Sequence, residues 1–230
     1  MSALSSDRAR PRAILLIDTT SRFCHVALVR DGQLIDQEIT PDKPADQAPR
    51  ITAALLDRNR ALGELARIAV LTGPGSFTGI RAGMATAMGL AFAHKIPLTG
   101  ITSLQALHAC APDGSDAPDW ALVLAAGKAA GAGKGLVFYQ GMPWGRLVRL
   151  GGRAWQKKRQ AIGPQPCVLI GREPQELESL ARIENLHAQV CAYPVLDMVR
   201  VAAALVGSRT RPLRALYGTR PRITRSGKTR

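Results

Sequence analysis

The stretch that decides the fold runs from residue 71 to residue 94 and reads LTGPGSFTGIRAGMATAMGLAFAH. It predicts the end of a strand, a loop of Gly, Pro and Ser, and then a helix rich in small residues. Two functions fit this order. The loop could cradle a phosphate group, as in a nucleotide-binding enzyme, or the helix could press closely against another helix, as in a protein that binds a partner.

The loop lacks the glycine-rich signatures of nucleotide sites. A P-loop requires Lys and then Ser or Thr after its last glycine, but Ile80 follows Gly79. A dinucleotide fingerprint requires glycine at the position of Thr78. Backbone amides at a helix N-terminus can hold an anion whatever the side chains are, so only this weaker and less specific reading of the loop is left.

The helix carries a row of small residues at every fourth position, namely Gly79, Gly83, Ala87 and Ala91. Such a row removes the side-chain ridge that normally keeps helix axes about 8–10 Å apart. An interior glycine costs a helix about 0.5–1 kcal/mol relative to alanine, and close packing would offset that cost. The row therefore predicts close packing, either on the helix of a partner or on the chain's own sheet.

Strands and helices alternate along the rest of the chain. The apolar run 13–18 predicts a strand buried on both faces, and Asp31-Gly32 between two strand-like runs is a strong hairpin signal. We predict strands at 13–18, 24–30, 33–39, 68–72, 97–101, 120–125, 136–140, 147–150 and 167–171, and helices at 45–62, 79–94, from 102, at 174–181 and at 195–206. This order predicts an α/β protein of two lobes.

Composition excludes several other classes. The chain has 230 residues, enough for a sizeable core, and four scattered cysteines that suggest neither a disulfide framework nor a zinc site. The N-terminal residues lack the apolar core of a signal peptide, and no uncharged run approaches the ~20 residues of a membrane span. We therefore expect a cytoplasmic location.

The net charge of +14 is unevenly placed. Residues 146–159 hold six basic residues and residues 208–230 hold eight, with no acid in either segment. Such segments attract polyanions, so contact with tRNA is one interpretation. A solvated face followed by a disordered basic tail is the other.

Two segments resemble a known family. ILLIDTTSRFCHVALVRDGQLI at 14–35, followed by LTGPGSFTGIRAGMATAMGLAFAHKIPLTGITSL at 71–104, is similar to the TsaB family, also called YeaZ. The resemblance covers residues 14–107 and thins beyond them. It implies the actin-like, Hsp70-like ATPase fold, which is ribonuclease H-like, with two lobes built on a βββαβα core.

The resemblance also implies a role. TsaB proteins are subunits of the bacterial machinery that forms threonylcarbamoyladenosine beside the anticodon of tRNA, and they are generally not its catalyst. The catalyst is the related TsaD, which pairs with TsaB through the first two helices of each first lobe. A TsaE-type ATPase joins them, and a homodimer is expected when the protein is alone.

The resemblance and the spacing together indicate a partner interface and no cofactor. The interface is expected on the two helices at 45–62 and 79–94, with Ile51, Leu55, Gly79, Ile80, Gly83, Met84, Ala87, Leu90 and Ala91 as its residues. In TsaD a histidine pair at i and i+4 binds a metal ion. Ser103 and Leu107 stand at those positions here, and His108 is one residue out of register, so neither a metal site nor a catalytic residue is expected.

Asp18, Thr19, Thr20 and Ser21 follow the first strand in the way that a phosphate loop begins in actin-like ATPases. One interpretation is a vestigial phosphate loop, and the other is an architectural turn in which the side chains satisfy backbone amides. Two other functions stay open: an independent ATP-binding enzyme of this fold, and a protease or chaperone acting on the catalytic subunit. We predict a disordered segment at 1–12, a first lobe at 13–102 with the partner-binding helices, a smaller and divergent second lobe at 103–207, and a basic tail at 208–230.

Overall fold

The computed structural model of the protein describes residues 13–41, 44–111, 121–125, 136–140, 147–149, 156–157, 160, 167–183, 185, 187–205 and 213–215. The predicted N-terminal segment 1–12 and most residues of the two basic segments, 146–159 and 208–230, lie outside these ranges. Within the described part of the chain, no helix combines the length and the apolar composition that crossing a bilayer requires.

The first sheet has five strands in the order β3-β2-β1-β4-β5. Their bounds are β1 Ala13–Asp18, β2 Phe23–Arg30, β3 Gln33–Pro41, β4 Leu65–Leu71 and β5 Leu98–Ile101. β1 pairs antiparallel with β2 and parallel with β4. Its apolar run is almost wholly buried because helices cover both faces of the sheet. The Asp31-Gly32 hairpin is confirmed, and both of its residues have positive φ angles of 50° and 78°.

Three α-helices accompany this sheet: α1 Pro44–Arg58, α2 Phe77–His94 and α3 Ser103–Ala109. The first was predicted to end at residue 62, but it ends at Arg58, and residues Leu62–Glu64 form a separate 3-10 turn. α2 begins two residues earlier than predicted because the Ser76 hydroxyl accepts a hydrogen bond from the Gly79 amide and caps the helix. A reciprocal pair of hydrogen bonds between Thr102 and Gln105 starts α3.

The second sheet repeats the strand order of the first, as β10-β9-β6-β7-β8. Its strands are β6 Ala121–Ala125, β7 Leu136–Gln140, β8 Leu147–Arg149, β9 Cys167–Gly171 and β10 Ala188–Ala192. Two more helices follow β9 and β10, namely α4 Pro174–Ile183 and α5 Met198–Ala203. The sequence did not predict β10, whose residues are only half-buried at the sheet edge. The repeated order, with three antiparallel strands followed by two parallel ones, confirms the two-sheet α/β architecture.

Two apolar cores hold the fold together. One lies between the first sheet and helices α1 and α2, with Leu15, Ile17 and Ile51 at its centre. The other lies between the two sheets, where Leu16 of β1 meets Leu107 of α3 and residues of α5. Helix α5 follows the second sheet in sequence but packs on strands of the first sheet. The chain therefore returns to the first lobe at α5. The domain boundaries given above stay a prediction.

Candidate partner-binding site

The inner face of α2 lies directly on the loop that follows β1. A Cβ atom at Gly79 would be 1.9 Å from the carbonyl oxygen of Thr19, and one at Gly83 would be 2.3 Å from the Thr19 hydroxyl. The Thr19 hydroxyl also donates a 2.7 Å hydrogen bond to the Gly79 carbonyl. The glycines of the small-residue row therefore allow the helix to approach the chain's own β1 loop. The row is thus explained by packing within the chain and does not require a partner helix.

This packing places most of the expected interface residues inside the chain. Buried side chains or backbone positions are found at Ile51, Leu55, Gly79, Ile80, Gly83, Ala87 and Ala91. Met84 and Leu90 are half-buried and pack against the same core. In the folded chain these residues belong to the first lobe's interior, which differs from the expectation that they form an accessible surface. The small side chains are explained by close contact with Thr19 and the core.

The opposite face of α2 is also apolar, and it is exposed. Phe92 is 89% exposed, Met88 52% and Phe77 40%. Ala85 and Gly89 lie on the same side and are exposed, and no heavy atom lies within 4 Å of a Cβ built at Gly89. A helix that is apolar on all sides is normally buried on all sides, whereas this face of α2 is exposed in the isolated chain.

We use the name docking face for Ala85, Met88, Gly89 and Phe92. The sequence alone did not distinguish the two faces of α2, because Ala85 and Gly89 have the same four-residue spacing as the row of small residues on the inner face. A signal was present, since residues 77–94 contain only one arginine, no lysine and no acid. A helix with one buried face and one solvent-facing face ordinarily carries more charge than this.

The loop after β1 is held in place by hydrogen bonds to the Asp18 carboxylate. One oxygen of the Asp18 carboxylate accepts hydrogen bonds from the Thr20 amide at 2.9 Å and from the Thr20 hydroxyl at 2.7 Å. The other accepts a 2.6 Å bond from the guanidinium of Arg172, which follows β9 in the second sheet. The Asp18 side chain is 1% exposed and that of Arg172 10%. The two sheets are thus joined by an ion pair at the carboxyl ends of their strands.

The environment keeps Asp18 ionised. Burial by itself raises the pKa of this carboxyl, but the charge of Arg172 and the hydrogen bonds from Thr20 outweigh burial and hold the pKa below its ordinary value of 3.8. Ser103 extends the cluster, since its hydroxyl lies 3.1 Å from that of Thr20. Sequence reasoning missed Arg172 because 154 residues separate it from Asp18.

The residues at the positions of the TsaD histidine pair are buried in the core. Leu107 is 0% exposed and Ser103 3%. Burial lowers the pKa of His108, which lies one residue further along α3. Within the residues that the structure describes, no group of three or more His, Cys, Asp or Glu side chains is placed to hold a metal ion.

Sequence comparison links the chain to tRNA modification proteins. The family model described as "TsaD: tRNA N6-adenosine threonylcarbamoyltransferase" matches residues 45–132. The tRNA threonylcarbamoyladenosine biosynthesis protein TsaB of Bacillus subtilis is 36% identical over 99 residues, which are 42% of this chain and 43% of that protein. TsaB of Escherichia coli is 34% identical over 96 residues, 41% of this chain and 42% of that protein. The match covers less than half of the length of these two relatives.

Structural comparison extends over most of the chain. The solved structure titled "YeaZ from Pseudomonas aeruginosa" superimposes with a TM-score of 0.57 and 21% identity, covering 85% of this chain and 91% of that one. The class of protein is therefore an α/β protein of the actin-like fold. Within that class, the sequence matches and the shared fold support the TsaB family, also called YeaZ.

Proposed function

We propose that the protein is a non-catalytic subunit that binds and stabilises a TsaD-type catalytic subunit during formation of threonylcarbamoyladenosine next to the anticodon of tRNA. The observation that carries this proposal is the docking face, an exposed apolar helix surface in a chain of the TsaB type. The names of the TsaB relatives place those proteins in threonylcarbamoyladenosine biosynthesis. We assign the same pathway to this chain as part of the proposal.

The chemistry of the docking face suits another helix. Ala85 and Gly89 present no long side chain, so a partner helix can approach closely between them. Phe92 and Met88 flank this groove and supply the apolar area that association would bury. Aromatic anchors of this kind often dominate the energy of an interface. In the absence of TsaD, a second copy of the chain would cover the same face, because large exposed apolar patches are unfavourable in water.

The loop after β1 supports a role without chemistry of its own. The Asp18 carboxylate accepts hydrogen bonds on both oxygens, from Thr20 and from Arg172, which fits a side chain that holds the loop and joins the two sheets. We favour the architectural interpretation of Asp18, Thr19 and Thr20, together with Ser21, whose hydroxyl accepts a hydrogen bond from the Phe23 amide. No cofactor is proposed. A TsaE-type ATPase as third member, tRNA contact through the basic segments and a cytoplasmic location complete the proposal.

Co-purification with the TsaD-type subunit of the same organism tests the proposal. Phe92→Arg and Met88→Arg put a charge on the docking face without touching the core, and we expect each to weaken binding by about 30-fold or more. Leu34→Arg is the matched control, because Leu34 is a 41% exposed apolar residue on the edge strand β3. It should leave binding within about threefold.

The result that would overturn the proposal is equal retention of the TsaD-type subunit by all three variants. Circular dichroism and the urea midpoint of each variant establish that loss of binding is not loss of folding. Light scattering of the isolated protein measures the expected homodimer, and Phe92→Arg should shift it towards the monomer.

A further inference from the structure

The ion pair between the two sheets is linked to helix α2 by a short series of hydrogen bonds. Arg172 donates to one oxygen of the Asp18 carboxylate, and the other oxygen accepts from the amide and the hydroxyl of Thr20. The Thr20 carbonyl accepts a 2.8 Å hydrogen bond from the amide of Ser76, which is the N-cap residue of α2. A side chain of the second lobe is therefore connected to the beginning of α2 through Asp18 and Thr20.

The loop after β1 and the beginning of α2 are in close contact. A Cβ atom at Gly75 would lie 2.2 Å from the Thr20 carbonyl oxygen, and one at Gly79 would lie 1.9 Å from that of Thr19. Both threonines are buried, with 0% of Thr19 and 5% of Thr20 exposed. A close-packed interior transmits a displacement from one group to the next, because it has few voids that could absorb it. A movement of the loop should therefore move the beginning of α2 as well.

Arg172 is the part of this network that belongs to the second lobe. Its guanidinium donates to the carbonyl of Pro194, which follows β10, at 3.2 Å as well as to Asp18. Arg172 and Asp18 are both largely buried, and water therefore weakens their attraction less than that of a surface pair. If the charge of Arg172 is removed, the Asp18 carboxylate loses its ion-pair partner in the described part of the chain. A buried carboxylate without a partner favours a rearrangement that lets water reach it, so the position of the loop depends on Arg172.

We infer that Arg172 is a positioning residue for the docking face. It acts through Asp18 and Thr20, which hold the loop against which α2 packs, and α2 carries the docking face on its opposite side. Only 10% of the Arg172 side chain is exposed, so it offers little surface for direct contact with a partner. Contiguous hydrogen-bonded and packed groups can couple two sites in this way. The inference rests on the proposed function, which makes the docking face the surface that binds the TsaD-type subunit.

The first test is hydrogen–deuterium exchange of the isolated full-length protein. Arg172→Gln removes the charge from the second lobe, and we expect the amides of residues 77–83 to exchange about tenfold faster relative to those of residues 26–29 in β2. The comparison with β2 cancels any general loss of stability. Leu180→Ala is the control, since it removes a buried side chain from α4 of the second lobe but leaves the ion pair in place, and it should not change the relative exchange. Unchanged relative exchange in Arg172→Gln, or an equal increase in both variants, would overturn the inference.

The second test is a double-mutant cycle on binding of the TsaD-type subunit of the same organism. Asp18→Asn keeps an oxygen that can accept from Thr20 but removes the charge that pairs with Arg172. Asp18→Asn and Arg172→Gln should each weaken binding about tenfold, and the double variant should bind no more weakly than either single variant. Leu180→Ala should stay within about threefold of the wild type. If the two single effects multiply to about a hundredfold, Arg172 acts independently of Asp18 and the inference fails.

The two readouts separate this inference from the proposed function. If the wild type does not bind the TsaD-type subunit but Arg172→Gln accelerates exchange at residues 77–83, the proposed function fails and Arg172 still positions α2. If the wild type binds and Arg172→Gln changes neither exchange nor binding, the inference fails and the proposed function stands. Should the charge variants not fold, Thr20→Val, which removes one hydrogen bond to Asp18, is measured in their place. Faster relative exchange at residues 77–83 then supports the inference, and exchange equal to that of the wild type overturns it.

Discussion

Gly83 of α2 lies against Thr19 so closely that a methyl group in place of its hydrogen would come within 2.3 Å of the Thr19 hydroxyl. Thr19 cannot easily give way, because its hydroxyl is buried and donates to the Gly79 carbonyl. Gly83 and Ala87 are expected interface residues on sequence grounds, but an arginine at either position would be forced into the interior. A loss of partner binding in such a variant would result from unfolding and not from the loss of a contact with the partner.

Two alanine substitutions on α2 should have opposite effects on stability. Gly83→Ala gains about 1 kcal/mol of helix propensity, but the contact with Thr19 costs more, and we expect a net loss of about 1–3 kcal/mol. Gly89→Ala has no neighbour within 4 Å and should gain about 0.5–1 kcal/mol. Urea unfolding measures both, and a stabilising Gly83→Ala would show that the helix does not press on the loop.

The two faces of α2 should separate stability from binding. Ile80 is fully buried and Phe92 is 89% exposed. Ile80→Ala leaves a cavity and should lower the free energy of unfolding by about 2–4 kcal/mol. Phe92→Ala should change it by less than about 0.5 kcal/mol while weakening the TsaD-type complex. The docking face would be misassigned if Phe92→Ala destabilised the isolated chain as strongly as Ile80→Ala does.

Removal of the Asp18 carboxylate should reveal the ion pair between the sheets. Asp18→Asn leaves the largely buried Arg172 charge without its partner, which typically costs about 3–5 kcal/mol. Asp36→Asn is the control, since its partner Arg58 is at the surface and the loss should stay below about 1 kcal/mol. Urea unfolding at neutral pH compares the two variants.

The same variant should alter the pH dependence of stability. The pKa of Asp18 is below 3.8 in the folded protein, so the unfolded chain binds its proton first as the pH falls. The stabilisation is fully present well above the unfolded pKa of 3.8 and is lost as the pH falls from there through the lower folded pKa. The difference between wild type and Asp18→Asn should be constant from neutral pH to about pH 5 and then shrink. A difference that grew on acidification would contradict this assignment.

Cys24 should resist alkylation in the folded protein. Burial, together with the charges of Asp18 and Glu38, raises the pKa of this thiol to about 11. At pH 8 only about one molecule in a thousand then carries the reactive thiolate. Peptide mapping after iodoacetamide treatment should show Cys24 unmodified until urea unfolds the chain, whereas the half-buried Cys191 reacts earlier. Rapid modification of Cys24 without urea would show that β2 opens locally.

Local patterns were enough to predict most of the first lobe. The apolar run at 13–18, the Asp31-Gly32 turn and the end of α2 at His94 are each set by neighbours in sequence, and the structure has all three. The family resemblance, which supplied the actin-like fold, is supported by the sequence and structure matches. The strand β10 was missed because a short, half-buried edge strand has too weak an apolar pattern.

The residues of the candidate site were harder to predict for a physical reason. Spacing along α2 identifies residues that share a face but does not say which face meets the sheet, and both faces are apolar with small residues. The orientation is decided by contact with Thr19, which lies 60 residues earlier in the chain. The pairing of Asp18 with Arg172 depends in the same way on how the two sheets meet. Such long-range contacts leave no periodic signal in one sequence.

The anchoring of α2 also affects the thermodynamics of any association at its outer face. The helix is capped by Ser76, bonded to Thr19 and joined through the Ser76 amide to the turn before β2. Its backbone is therefore preorganised before a partner arrives, and little conformational entropy remains to be lost on binding. Burial of Phe92 and Met88 would then have to offset mainly the lost rotational and translational freedom and the ordering of these two side chains, and little additional backbone entropy.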